Sequence, residues 1–441
     1  MIENKTFGVI SLGCDKNRVD TEHMLAVLEE RGCRRTSELS RAQILIVNTC
    51  AFLNAARKES IDTILEGASY KDGCLEKLVV TGCLPEKFID ELFPALTEAD
   101  VFLGISDGDR LIDAIERSYA GERVNAVHTG GEDRRGRVLS TPLHYAYLKI
   151  ADGCYNHCTY CLIPKIRGKY RSYPMEELVA EAERLGELSE LILVAQDTTR
   201  YGEDLYGENR FVELIRRLTA LENIRAVRLL YCYPEAIGDE LIAELRDNPK
   251  LIKYIDIPLQ HSEDRVLKLM NRRGRRADNL ELLARLRREV PDIAVRSTFI
   301  AGFPSETEEE SEALASFLRE AKFTNCGFFA YSKEPDTAAA RMKGHLLQRE
   351  KNRRVKMLYA VQKEISNAFL STLVGKTVEV MCDGVDYDRQ CFVGRAYFQA
   401  PEIDGKVYFH APHASQGELC AVTIKKQDGY DLYGASAEES I

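Results

Sequence analysis

ADGCYNHCTYCLIPKIRG, residues 151–168, places Cys154, Cys158 and Cys161 in a C-x3-C-x2-C loop directly after an apolar run. Three thiolates so spaced can fold around one cubic iron–sulfur cluster, and because four irons want four ligands, one iron stays open to an outside molecule. A zinc loop or three unrelated buried thiols are the competing readings. Zinc sites, however, pair C-x2-C with a second distant pair, and three cysteines within eight residues are rarely coincidental.

Outward from that loop, 441 residues exceed one ordinary core and predict two to three domains. No apolar run approaches the roughly 18 residues that a membrane span needs, and MIENKTFGVISLGC lacks a secretory pattern, so a cytoplasmic protein is expected. Thirteen cysteines, an odd number spread through α/β-patterned sequence, argue for a reducing compartment and metal ligation rather than disulfides. A net charge of −10 speaks against strong nucleic-acid binding and for a basic partner.

Between residues 7 and 103 the runs FGVISLG, ILIVNTC, LVVTGC and VFLG alternate with helix-like segments, the pattern of parallel βαβ units in a doubly wound sheet. Cys14, Cys50 and Cys83 each stand at or just past a strand's carboxyl end, where open parallel sheets bind ligands. That position suggests a second three-cysteine cluster, against the alternative of three thiols packed as small apolar groups. Cys33 and Cys74 carry no such signal. The expected N-terminal α/β domain spans 1–118, and the polar, Gly-rich 119–139 reads as a linker whose RRGR, 134–137, is solvated.

Six strand candidates follow from residue 145, namely YAYLKI, LILVAQ, VRLLYC, YIDIPL, 293–302 and NCGFFAY. They predict a partial (β/α)6 barrel over 140–370 with its chemistry at the strands' carboxyl ends. Gln196 and Asp197 end the second strand, Gln260 and His261 the fourth, and Gly302 the fifth. Ser305 and Glu308 fit a capping box for the next helix, and the RRGRR at 272–276, beside the expected barrel mouth, reads as solvated helix-end charge, with substrate contact as the alternative. Val355, Leu358, Val361, Ile365 and Phe369 form the apolar stripe of a docking helix. From 371 to 441 short alternating strands predict a small all-β barrel, acidic with six Lys and Arg against eleven Asp and Glu, and Cys382, Cys391 and Cys420 read as its core.

SLGCDKNRVDTE, NTC, TGC and ADGCYNHCTYCLIPKIRGKYRS, followed by a TRAM-type barrel, resemble the radical S-adenosylmethionine (SAM) methylthiotransferases over nearly the whole chain. One branch of that family modifies a tRNA adenosine, the other an aspartate of small-subunit ribosomal protein uS12. SLGCDKN, VAQDTTRYGEDLYG, IDIPLQH and QAPEIDG look like the second, whereas the tRNA branch usually opens with a Gln–Met–Asn motif and carries a more basic barrel. YSKEPDTAAARM departs from the family's common Arg–Glu–Glu–Gly–Thr.

The resemblance implies two [4Fe-4S] clusters, on Cys154, Cys158 and Cys161 and on Cys14, Cys50 and Cys83. The first would bind SAM as radical source, and the second would hold sulfur that takes a methyl group from another SAM. It implies methylthio transfer to the β-carbon of a uS12 aspartate, an external electron donor, a sulfur source, and no catalytic residue beyond the ligands. Tyr160, Gln196 and Gly302 are implied SAM contacts, with Gln260 and Arg296 partners for its ribose or carboxylate. A noncatalytic iron–sulfur module binding RNA or protein is the remaining alternative.

Overall fold

Apolar runs between residues 7 and 103 form strands as their spacing predicts. In the computed structural model, which describes residues 2–105 and 107–436, they are β1 (Thr6–Ser11), β3 (Ile44–Thr49), β4 (Lys77–Gly82) and β5 (Val101–Phe102), joined by two short strands that no apolar run marked, β2 (Arg34–Arg35) and β6 (Val124–Asn125). All pair in parallel, in the order β2-β1-β3-β4-β5-β6. The alternation of β3 shows why both faces are covered. Ile44 and Ile46 pack with Leu25, Leu28 and Ile115 on one face, Leu45 and Val47 with Ile64 and Leu84 on the other. Each such fully buried aliphatic contributes about 1.5–3 kcal/mol. The order reverses between β1 and β3, which creates a ligand-binding crevice beyond their carboxyl ends.

Two units make up the chain. One takes in residues up to Ser140 with 152–155 and 161–170; the other holds 141–151, 156–160 and the chain from Arg171 onward. Residues 119–139, linker-like in composition, belong to the first unit and include β6. Buried Asp107 organises them by accepting from the amides of His128, Thr129 and Gly130. Arg137 is not solvated as expected: it ion-pairs with Glu22, and both side chains are almost fully buried.

The second unit contains an open sheet of six parallel strands, β7 (Tyr145–Lys149), β8 (Glu190–Val194), β9 (Val227–Leu229), β10 (Leu251–Asp256), β11 (Ala294–Ala301) and β12 (Asn325–Ala330). They pair strictly in sequence order, as in a partial β/α barrel. The helix Gln348–Ser371 covers the edge strand β12, with Tyr359 edge-on to Phe328 at 4.9 Å. Its buried face holds the expected Leu358 and Val361, but also Gln362 and Ser366, which donate to the carbonyls of Phe323 and Thr324.

A closed barrel follows, from β13 (Thr377–Asp386), β14 (Cys391–Ala396), β15 (Val407–His410), β16 (Leu419–Asp428) and β17 (Asp431–Ser436), in the order β13-β14-β15-β17-β16. Its loops reach the amino-terminal half of the six-stranded sheet. Arg395 pairs with Glu190 at 2.7 Å and Asp383 at 2.8 Å, Glu190 also pairs with Arg228, and the Tyr254 hydroxyl donates to Asp404 at 2.7 Å. The sheet's carboxyl-terminal end is thereby left to carry chemistry.

The capping box before the helix Glu308–Ala321 is Thr307 with Glu310, not Ser305 with Glu308. Ser305 is left-handed (φ +62°), and the Glu306 carboxylate accepts from the amides of Gly302 and Phe303, so the chain enters the helix two residues later.

Candidate functional site

Each cysteine motif of the first unit laces neighbouring strand ends together. Asn17 of SLGCDKN donates to the carbonyls of Leu12 and Thr49, tying the end of β1 to that of β3. Thr49 of NTC donates to the Thr81 carbonyl and accepts from the Leu84 amide, tying β3 to β4. Cys14 caps the helix Asp15–Glu30, and Cys83 opens the helix Cys83–Ala95 after Gly82. Gly82 has φ +94°, and a Cβ there would lie 2.2 Å from Asn48 Oδ1, so only glycine makes this turn. Cys50 packs against Gly13, beside Cys14: a Cβ on Gly13 would lie 3.1 Å from Cys50 Sγ.

Three strand-end cysteines share one buried cation, Arg167. Its Nη2 lies 3.8 Å from Cys83 Sγ and also bonds to Asn17 and Asp20, while Nη1 holds Asp152 at 2.7 Å. The side chain is 1% exposed. Burial pushes the Cys83 thiol up to about 12, opposed by Arg167, and the charges of Cys14 and Cys50 act on the same sulfur. Burial raises the Cys50 thiol too. Thiols so placed ionise only against concentrated positive charge, which iron and a guanidinium provide. Among the described residues no three His, Cys, Asp or Glu side chains surround a single metal ion. A set of three thiols with a buried arginine nonetheless fits an anionic thiolate-bound cluster in donor chemistry and in charge. Arg167 carried no signal in the sequence, where it stands six residues past Cys161 among other basic residues.

Cys154 and Cys161 belong to the first unit and Cys158 to the second. The Cys154 amide donates to Gly168 O at 3.2 Å, and Cys161 Sγ accepts from the Ile163 amide at 3.4 Å. In the second unit the stretch around Cys158 is fastened on both sides. Asn156 donates to Asp197 at 2.9 Å, Thr159 bonds through its amide to Met270 O and through its hydroxyl to Leu269 O, and Asn271 donates to the His157 carbonyl. This backbone is fixed without help from the Cys158 sulfur.

Among curated proteins the chain is 45% identical over 434 residues to ribosomal protein uS12 methylthiotransferase RimO of Lachnoclostridium phytofermentans, covering 97% of this chain and 99% of that one. It is 44% identical to the RimO of Clostridium tetani, covering 98% of each. The chain belongs to the RimO-type methylthiotransferase family. Residues 148–318 match the radical SAM superfamily, 6–104 the uncharacterized protein family UPF0004 and 374–436 the TRAM domain. Among solved structures the radical SAM methyltransferase TsrM of Kitasatospora setae, with cobalamin and a [4Fe-4S] cluster bound, has the same fold at TM-score 0.53 and 14% identity, over 76% of this chain and 77% of that one. This RimO-type chain has no described helix long and apolar enough to cross a membrane.

The remaining candidates of this family member divide by position. Tyr160 stands edge-on to Phe303 at 6.5 Å, beside Val266 and Met270. Gln196 follows β8, half-buried. Gln260 is left-handed (φ +72°) and bonds through its backbone to Thr298 and Ile300. These three lie at the sheet's carboxyl end. Gly302 is left-handed as well (φ +75°), but a Cβ there would overlap Lys351 Cγ at 2.3 Å, so the glycine makes room for a lysine stem. His261 is fully buried, accepts from the Glu263 amide and faces Glu306 at 3.6 Å, which gives it a packing role. Arg296 lies early in β11 and is committed to Asp256 at 2.9 Å and Asp404 at 3.4 Å. That commitment sets it apart from the carboxyl-end residues: strand membership was legible, but the half of the strand was not.

Proposed function

We propose that Cys14, Cys50 and Cys83 hold one [4Fe-4S] cluster and Cys154, Cys158 and Cys161 another, in a cytoplasmic enzyme that adds a methylthio group to the β-carbon of a uS12 aspartate. When bound, the clusters and SAM supply reductive SAM cleavage, the sulfur and the methyl group. The protein's own residues fix the sulfurs. Asn17, Thr49 and Gly82 hold the strand ends that present the first three thiols, and Arg167 sets positive charge against them. Asn156, Thr159 and Asn271 hold the loop that presents Cys158. The observation that carries the reading is full-length likeness to RimO proteins in a chain whose Cys14, Cys50 and Cys83 stand at successive strand ends, with buried Arg167 3.8 Å from Cys83 Sγ. The acidic terminal barrel suits a basic ribosomal protein, and its likeness to the TRAM domain makes ribosomal RNA a neighbouring contact to test.

Cluster-loaded protein, SAM, reductant and a uS12 peptide should give a peptide heavier by CH2S, localised to the aspartate by fragmentation mass spectrometry. An unmodified peptide alongside a modified tRNA adenosine would move the chain to the other branch. Arg167→Lys keeps the charge but not the planar fork that reaches Asp152, Asn17 and Cys83 together. We expect it to lower methylthio product about tenfold, roughly the value of one charged hydrogen bond. SAM cleavage should persist; wild-type yield in that variant would remove Arg167 from the site.

A further inference from the structure

Arg272 opens the RRGRR run, where sequence suggests solvated charge, yet the residue is only 7% exposed. Its guanidinium lies over the Tyr233 ring, 4.3 Å from the centroid, and Nη2 donates to the Pro258 carbonyl at 2.6 Å. Nε and Nη1 have no hydrogen-bond partner among the described residues. No carboxylate pairs with it among the described residues. Its charge reaches Cys158, Tyr160 and Glu235, of which Glu235 is exposed. Asp197, the buried carboxylate of this region, is already held by Thr199 at 2.7 Å, Asn156 at 2.9 Å and Arg200 at 3.2 Å.

A buried guanidinium without a carboxylate costs several kcal/mol, a cost that a bound anion removes. Its place fits such a ligand. Pro258 and Tyr233 lie past the carboxyl ends of β10 and β9, and the residues just before Arg272, Leu269 to Asn271, are those that fasten the Cys158 loop. Nη2 carries two protons and Pro258 takes one, so one edge of the guanidinium, Nε with Nη2 or Nη1 with Nη2, keeps both donors free, and such a planar pair matches a carboxylate better than a point charge would.

We propose that Arg272 is the receptor for a ligand carboxylate at the carboxyl end of the six-stranded sheet, a role that rests on the methylthiotransferase reading. Two carboxylates belong to that chemistry, the α-carboxylate of SAM and the side chain of the target aspartate. Each has a counterpart that lacks the carboxylate, decarboxylated SAM and the Asn form of the uS12 peptide.

The test measures binding to cluster-loaded wild type, Arg272→Gln and Arg272→Lys, by equilibrium dialysis for the SAM pair and fluorescence anisotropy for the peptide pair. In one arm Arg272→Gln should weaken the carboxylate ligand about 10- to 100-fold without weakening the counterpart that lacks the carboxylate, with Arg272→Lys intermediate. The arm that responds names the carboxylate. A purely packing role would weaken both members of a pair alike, and that result overturns the proposal. If Gln does not fold, the Lys variant decides: wild-type discrimination in both arms overturns it. Wild type that binds neither SAM nor peptide overturns the functional reading and this proposal together, whereas wild-type binding with unchanged discrimination in the variants overturns this proposal alone.

Discussion

Cys158→Ala should yield no 5′-deoxyadenosine from SAM, whereas Cys50→Ala should continue to cleave SAM and make no methylthiolated peptide. Neither backbone depends on the deleted sulfur. The stretch around Cys158 keeps its bonds from Asn156 and Thr159, and Cys50 keeps its amide and carbonyl on the Ser60 hydroxyl, at 3.1 and 2.9 Å. Each substitution therefore removes a ligand rather than a fold, and each should lower iron by about one cluster per chain. Iron analysis with chromatography of 5′-deoxyadenosine and mass spectrometry of the peptide reads all three quantities. Full SAM cleavage by the first variant, or product from the second, refutes the division of labour between the two triads.

Glu190→Gln should cost about 3–5 kcal/mol, the usual penalty for breaking a buried ion pair from one side. Glu190 is fully buried between Arg228 and Arg395, and its replacement leaves two buried guanidinium groups short of charge. Burial alone would raise its carboxyl; Arg228 and then Arg395 overcome burial and hold it down at about 2. A carboxyl so lowered stabilises the fold fully above its unfolded value near 4.5 and loses that contribution as pH falls toward 2. Wild type should thus lose about 3 kcal/mol across that window, and the Gln variant should lack this component. Urea midpoints at pH 7 and at pH 3–4, with proteolysis of the connection before β13, measure both effects. An unchanged midpoint at pH 7 would show that the pair holds nothing.

Much of this architecture is legible in the chain because apolar runs of strand length, repeated between helical segments, leave few alternatives. All six strands of the second unit's parallel sheet stand where their runs predict. Cys14, Cys50 and Cys83 were legible as strand-end residues, since chain direction in a parallel sheet fixes which end they share. Buried arginines were not. Arg137, Arg167 and Arg272 sit in Gly-containing loops with no periodicity, and their burial depends on Glu22, Asp152 and Tyr233, partners distant in sequence. The start of the helix Glu308–Ala321 was misplaced for a related reason: the Glu306 carboxylate is taken by the amides of Gly302 and Phe303, a competition that pattern cannot reveal.

The terminal β-barrel is moored by Arg395, Asp404 and backbone carbonyls rather than by a greasy patch alone. Such mooring is keyed, since a like-charged or shifted counterpart leaves Glu190 with Arg228 alone or Arg296 with Asp256 alone. Chimeras that exchange this module between relatives should assemble only when the donor brings an arginine at 395 and a carboxylate at 404, so the joint itself filters which modules the enzyme can acquire.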